Sequence, residues 1–132
     1  MSQANIELVQ AVYAAFGRGD VEFIIGALAD DVSWAVNGRE GDYPTFGVKR
    51  GKAGVTAFFA YIGANENFSD FSPQGFFSDA DRVFVEGHAA YTVTGTGKSV
   101  DTNFLHVFTI TGGKITGFVE YFDTYQVVLA GR

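Results

Sequence analysis

Thr111-Gly112-Gly113-Lys114-Ile115-Thr116-Gly117-Phe118-Val119-Glu120-Tyr121-Phe122-Asp123 is the stretch on which the fold turns. Two adjacent glycines before a lysine read as a hairpin turn, and the aromatic and β-branched run after them reads as a strand. Ser78-Asp79-Ala80-Asp81 and Gly95-Thr96-Gly97-Lys98 give the same signal, so segments near 68–77, 82–94, 99–111 and 114–123 are expected to pair as an antiparallel meander. Upstream, Ile6, Val9, Tyr13 and Phe16 recur at helical spacing, and Gly17-Arg18-Gly19 ends that helix before Asp20, an N-cap for a second. The second helix is expected to carry Val21, Ile24, Ile25 and Leu28 inward and to stop at Ala29-Asp30-Asp31. A short strand follows at Val32-Ser33-Trp34-Ala35-Val36. Residues 37–51, with four glycines and a proline, read as an irregular loop that could act as a lid. Val55, Phe58, Phe59 and Ile62 then define one face of a third helix. The pattern is α+β: three N-terminal helices covering one face of a sheet.

The chain has 132 residues, 47% of them hydrophobic and 16% aromatic, which suits one domain, 1–132, with apolar surface to spare. A net charge of -6 without a basic cluster argues against nucleic acid or an anionic membrane as partner. No apolar run approaches membrane-spanning length. The absence of cysteine removes disulfides, thiolate chemistry and cysteine metal sites, and the two histidines with scattered acids form no metal-ligand spacing. No metal and no organic cofactor is expected. The polar start Met1-Ser2-Gln3-Ala4-Asn5 does not read as a signal peptide, so the expected location is cytoplasmic.

Glu120 stands out for chemistry. A carboxylate on a dry inner face loses hydration, its pKa rises, and it becomes able to exchange a proton near neutral pH; on the polar side of an alternating strand it would only meet water. His106, in Asn103-Phe104-Leu105-His106-Val107-Phe108, lies in an equally apolar strand. A two-residue loop at Gly112-Gly113 sets His106 across from Val119, whereas a three-residue loop over Gly112-Gly113-Lys114 sets it opposite Glu120. A facing pair is an acid-base couple; a lone buried histidine would instead bond a backbone carbonyl.

The combination of Ala15-Phe16-Gly17-Arg18-Gly19-Asp20, Leu28-Ala29-Asp30-Asp31-Val32-Ser33-Trp34 and Gly112-Gly113-Lys114-Ile115-Thr116 leading to Glu120-Tyr121-Phe122-Asp123-Thr124 resembles the SnoaL-like proteins of the nuclear transport factor 2-like superfamily. That superfamily includes ketosteroid isomerases, polyketide cyclases, limonene epoxide hydrolases and scytalone dehydratases. The resemblance implies a curved sheet wrapped into a cone, closed by helices around an apolar pocket (the cystatin-like fold), and a homodimer. The epoxide hydrolase pattern, matched through Thr96-Gly97-Lys98-Ser99 and Gly113-Lys114-Ile115-Thr116-Gly117, implies a catalytic acid at Glu120 and turns Phe104, His106, Phe118, Glu120 and Phe122 toward the cavity. That family's paired Arg and Asp fall on Gly87 and Ala89. The isomerase base falls on or near Val36 and its oxyanion acid on or near Leu105, with the isomerase tyrosine near Val12 or Tyr13.

Glu120 and His106 are therefore the candidate catalytic residues. Tyr13, Trp34, Phe59, Tyr91, Phe104, Phe118, Phe122 and Asp123 are the candidate ligand contacts. Asp123 can alternatively cap a short terminal helix through Thr124-Tyr125-Gln126-Val127-Val128, and His88 is expected on the outer face or at a dimer contact. The expected activity is proton transfer on a small, mostly apolar molecule: isomerisation, cyclisation, dehydration or hydrolysis. A non-catalytic ligand-binding protein and a protein-interaction module are the alternatives.

Overall fold

The computed structural model describes residues 2–132. Helix α1 spans Ser2–Gly17 and α2 spans Val21–Gly26, with Asp20 capping α2 by accepting the Phe23 amide at 3.1 Å. Strand β1 runs from Leu28 to Val36, β2 from Gly47 to Arg50, and α3 from Gly51 to Asn65. Strands β3 (Glu66–Asp79), β4 (Arg82–Val93), β5 (Lys98–Thr111) and β6 (Lys114–Phe122) follow, and α4 (Thr124–Ala130) ends the chain.

The six strands form one curved, unclosed sheet in the order β2-β1-β6-β5-β4-β3. The four hairpin-connected strands pair antiparallel as expected, but β1 lies parallel to β6, so the sheet is mixed. Interruptions of register between Phe68 and Asp70, between Pro73 and Gly75, and between Thr109 and Ile110 bend it. Helices α1 and α3 lie over the inner face, where Val9, Val12, Val55, Phe58 and Phe59 meet Val32, Trp34, Val83, Val85 and Phe108.

Two expectations about the first half are corrected. Leu28 belongs to β1, not α2. The Ile115 amide donates to the Ala27 carbonyl at 2.9 Å and Lys114 Nζ donates to the Gly26 carbonyl at 2.8 Å, so β6 captures the end of the helix and starts a strand there. Asp30 and Asp31 consequently lie within β1 on its solvent side, in the irregular stretch between the Leu28–Ile115 and Ser33–Gly117 pairs. The glycine-rich segment is also no free loop: its end is edge strand β2, and Tyr43 and Phe46 are buried at 3% and 4% exposure, anchoring it to the core.

The hairpin from β5 to β6 reaches the expected facing register by an unexpected route. The turn has two residues, Gly112 and Gly113, at φ values of 59° and 79° that suit glycine. Thr111 faces Lys114 and Ile110 faces Ile115, but Thr109 faces Gly117; Thr116 is the extra residue of a β-bulge. Beyond it His106 stands opposite Glu120.

Asp123 terminates β6 and caps α4. Its Oδ1 accepts the Gln126 amide at 3.2 Å and its Oδ2 accepts Gln126 Nε2 at 3.3 Å. Removing this cap in Asp123→Ala should cost about 1 kcal/mol of stability, measured by urea denaturation. Ligand affinity should stay unchanged, since no cavity contact is lost.

Candidate functional site

The inner face of the sheet and helices α1 and α3 enclose a cavity of about 90 Å³. Its wall is largely aromatic: Tyr13, Phe16, Trp34, Phe58, Phe59, Phe68, Phe71, Tyr91, Phe104, Phe108, Phe118 and Phe122 all line it. Strand alternation places them there. Phe104, His106 and Phe108 project inward from β5, and Phe118, Glu120 and Phe122 from β6 after the bulge. A space this small inside so many rings accepts a compact apolar ligand, and a larger one only if rings turn aside.

Three polar side chains form a chain across this wall. The Tyr13 hydroxyl lies 2.6 Å from His106 Nδ1, and His106 Nε2 lies 2.9 Å from Glu120 Oε2. His106 is only 5% exposed. Its ring is held by Phe104, stacked at 4.0 Å and 16°, with the Tyr13 ring nearly coplanar at its edge, 5.9 Å away at 4°. Burial, with the Glu120 charge adding, pushes the Tyr13 hydroxyl far above the ordinary phenol range, so it keeps its proton. A hydroxyl that keeps its proton can donate it to Nδ1 while Nε2–H donates to the Glu120 carboxylate. Of the two settings open to Glu120, it takes the inner one without being dry: it lines the cavity, its side chain is a quarter exposed and it has His106 as partner. Its Oε1 has no hydrogen-bond partner among the described residues.

A second acid in the cavity, Glu66, was missed from the sequence. Glu66 begins β3 and lines the cavity, and its Oε2 accepts a hydrogen bond from the Tyr43 hydroxyl at 2.8 Å. Burial pushes its carboxyl up to about 7, against the Tyr43 hydrogen bond and with a further push from the Glu120 charge. Burial beside Glu66 also holds the hydroxyls of Tyr43 and Tyr91 far above the ordinary phenol range. The available signal was the alternation of Glu66 with Phe68, hidden because the strand reads as starting at Phe68 once Asn65 and Asn67 are taken as loop residues. Lys49 lies over the Phe58 ring at 5.6 Å and bonds the Thr45 carbonyl; burial lowers its pKa, while the charges of Glu40 and Glu120 oppose that. Trp34 Nε1 is a buried side-chain donor without a partner among the described residues, in the same aromatic wall.

Of the expected site residues, Glu120, His106, Tyr13, Trp34, Phe59, Tyr91, Phe104, Phe118 and Phe122 all line the cavity, and Asp123 does not. Asp123 follows the last inward position of β6 and its carboxylate is taken up by Gln126. His88 projects from the outer face, where Nε2 meets Asp101 at 2.8 Å and Nδ1 meets Asn103 Oδ1 at 2.9 Å. Among the described residues no group of three His, Cys, Asp or Glu is placed to hold a metal, and no helix is long and apolar enough to cross a membrane.

A helix-covered curved sheet around an aromatic cavity defines the nuclear transport factor 2-like class, also called cystatin-like. Within it the chain belongs to the SnoaL-like family, whose domain profile matches residues 9–118. A nuclear transport factor 2-like protein of Burkholderia xenovorans LB400 is 28% identical, covers 100% of this chain and 98% of its own, and superposes with a TM-score of 0.90. One of unknown function from Burkholderia pseudomallei K96243 is 28% identical over 99% of this chain and 98% of its own, with a TM-score of 0.87. TerC, solved as a co-crystal with polyporic acid, is 30% identical over 96% of this chain and 97% of its own, with a TM-score of 0.82. No curated protein matches the chain.

The Glu66 environment has a direct consequence for stability. Its pKa in the folded state, about 7, lies above the ordinary value of 4.5, so the folded protein holds that proton more tightly than the unfolded chain. This group therefore imposes no penalty below about pH 4.5, and its ionisation destabilises the fold progressively up to pH 7 and by a constant amount above. Glu66→Gln, which keeps the Tyr43 hydrogen bond, should raise stability at pH 8 by up to about 3 kcal/mol and leave it nearly unchanged at pH 4.5, as read from paired urea melts.

Proposed function

We propose that this protein is a cofactor-independent proton-transfer enzyme acting on a small, mostly apolar molecule, with Glu120 as the base and His106 as its partner. The observation that carries this is the Tyr13–His106–Glu120 chain in the wall of an aromatic cavity. The family supports a small-molecule ligand, and polyporic acid, found with TerC, is a first compound to try. Isomerisation, cyclisation and dehydration share a first step, removal of a proton from carbon. Glu120 performs it with Oε1, the oxygen that His106 leaves free. The imidazole fixes the carboxylate in place through Nε2–H, and Tyr13 fixes the imidazole tautomer through Nδ1. Aromatic walls place the carbon acid against the acceptor, which keeps a quarter of its side chain exposed until a ligand covers it.

The enzyme is tested without knowing its substrate by deuterium incorporation next to the carbonyl of cyclohex-2-enone in D₂O, followed by proton NMR. The wild type should accelerate exchange, and Glu120→Gln should slow it by about 10²- to 10⁴-fold while the protein stays folded. Equal exchange in wild type and variant would leave a ligand-binding protein without catalysis.

A homodimer through the outer sheet face accompanies this reading. Phe84, Leu105, Val107, Val119 and Tyr121 form an apolar strip there, with Tyr121 43% exposed, and no helix of the described residues covers it. Val107→Glu should convert a dimer to a monomer in light scattering without perturbing the cavity; a wild type that is already monomeric excludes this contact.

A further inference from the structure

The first residue of β3 is an acid to which the fold brings no counter-charge. Glu66 stands opposite Val93 of β4, with Phe68 as the next inward residue on its own strand and Tyr91, the partner of Phe68, as its diagonal neighbour. The Phe68 and Tyr91 rings lie 5.0 Å apart at 44°. Tyr43, whose hydroxyl holds Glu66 Oε2, meets Tyr61 of α3 edge to face at 6.2 Å and 89°. Oε1 has no protein partner among the described residues. The titratable groups acting on Glu66 are Tyr43, from the segment before β2, and Glu120 of β6. Tyr91 of β4 and Tyr61 of α3 are close by, and His106 of β5 and Tyr13 of α1 line the cavity with it. None of the groups acting on Glu66 is a cation, and no lysine or arginine of the described residues lines the cavity.

An ionised Glu66 therefore gains a counter-charge only from a guest. A metal ion fits poorly, because one carboxylate among rings is no ligand set and the described residues hold no group of three His, Cys, Asp or Glu placed for one. An organic ammonium fits well: it brings its own N–H donor to Oε1, and neighbouring rings attract its charge through their electron-rich faces, as aromatic cages do for amines. Independently, Trp34 Nε1 in the same wall is buried and has no acceptor among the described residues, and an aryl guest offers it a π face. We propose that the cavity binds a compact arylalkyl amine as its ammonium ion, with an ammonium N–H donating to Glu66 Oε1, the charge against the Phe68 and Tyr91 rings, and the aryl group within the aromatic wall. The assignment names a ligand class for the cavity of the function proposed above, and it rests on that cavity being a small-molecule site, not on proton transfer by Glu120. Because the empty protein holds the Glu66 proton up to about pH 7, binding below that pH expels the proton to solvent, and affinity rises as Glu66 ionises.

Benzylamine is the probe and benzyl alcohol its neutral counterpart, with affinity read from fluorescence of the single tryptophan, Trp34, in the cavity wall. In the wild type the benzylamine Kd should fall about tenfold or more from pH 5.5 to pH 8, while the benzyl alcohol Kd stays within about twofold. Calorimetry in buffers of different ionisation enthalpy should show about one proton released per amine bound at pH 5.5 and almost none at pH 8. Glu66→Gln should abolish the pH dependence. Glu120→Gln should keep it, moved to lower pH because the Glu120 charge no longer pushes Glu66 up. Benzylamine binding at pH 8 no tighter than benzyl alcohol overturns the proposal, as does a pH dependence that persists in Glu66→Gln or vanishes in Glu120→Gln. The wild-type affinities and proton count decide it even if a variant fails to fold. Deuterium exchange into cyclohex-2-enone reports on Glu120 alone, so loss of catalysis and loss of amine binding are distinguishable.

Discussion

One inserted residue in β6 sets the geometry on which the site depends. The pairing that starts at Thr111–Lys114 and Ile110–Ile115 would, if continued, place Val119 opposite His106 and turn Phe118, Glu120 and Phe122 to the outer face. The bulge at Thr116 leaves one residue out of the ladder, a loss of about 1 kcal/mol, softened by the Thr116 hydroxyl bonding the Thr109 carbonyl at 3.3 Å. Against it stands burial of Phe118, roughly 1.5–3 kcal/mol, with a smaller gain from half-buried Phe122, so the bulged register wins. The neighbouring strand is matched to it: β1 loses regular pairing between Leu28 and Ser33, then sets Trp34 beside Phe118, with the rings stacked at 3.9 Å and 17°. A single slip thereby aligns three strands and delivers a carboxylate to a histidine.

Polar groups in such an aromatic enclosure are stable only if each has a partner. His106 meets that condition through both ring nitrogens, one toward α1 and one toward β6, so its orientation and tautomer are determined by two elements that are far apart in sequence. The Phe104 ring stacked on one face and the Tyr13 hydroxyl at the ring edge prevent it from turning. Glu66 meets the condition with Tyr43 alone, and for that reason its protonation responds to pH where the fold is populated. Trp34 does not meet it at all. An orphaned indole N–H costs about 1–3 kcal/mol, a cost that is understandable in the wall of a ligand cavity and hard to justify in a solid core.

What was legible in the sequence followed periodicity and turn chemistry. Ile6, Val9, Tyr13 and Phe16 form the inward face of α1, Asp20 caps α2, and Gly95-Thr96-Gly97-Lys98 and Gly112-Gly113 join strands as read. What was hidden depended on partners distant in sequence. Leu28 fits a helical face, and only the arrival of Ile115 and Lys114 at Ala27 and Gly26 makes it a strand residue. The bulge at Thr116 has no sequence marker, since a three-residue loop over Gly112-Gly113-Lys114 would bring His106 opposite Glu120 just as well. The Tyr43 contact that defines Glu66 crosses from an irregular segment with no period to β3. The aromatic wall was readable through the family pattern, which turned Phe104, Phe118 and Phe122 toward the cavity; the chemistry of the second acid was not, because it arises from burial that several elements create together.

The same packing explains why the water-activating site of the epoxide hydrolase pattern has no counterpart here. The position matching that family's arginine is Gly87, and no side chain fits on it. A Cβ there would lie 2.2 Å from the Phe104 ring and 2.8 Å from the Ser72 carbonyl oxygen. Phe104 occupies the space an arginine would need and uses it to stack on His106. An arginine beside Glu120 would hold the carboxylate as a permanent anion in a bidentate grip suited to orienting water. His106 gives Glu120 one directed hydrogen bond instead, and leaves the second oxygen without a protein partner among the described residues. Exchange of a cation for a stacked ring thus removes the bidentate partner that a water-orienting carboxylate uses.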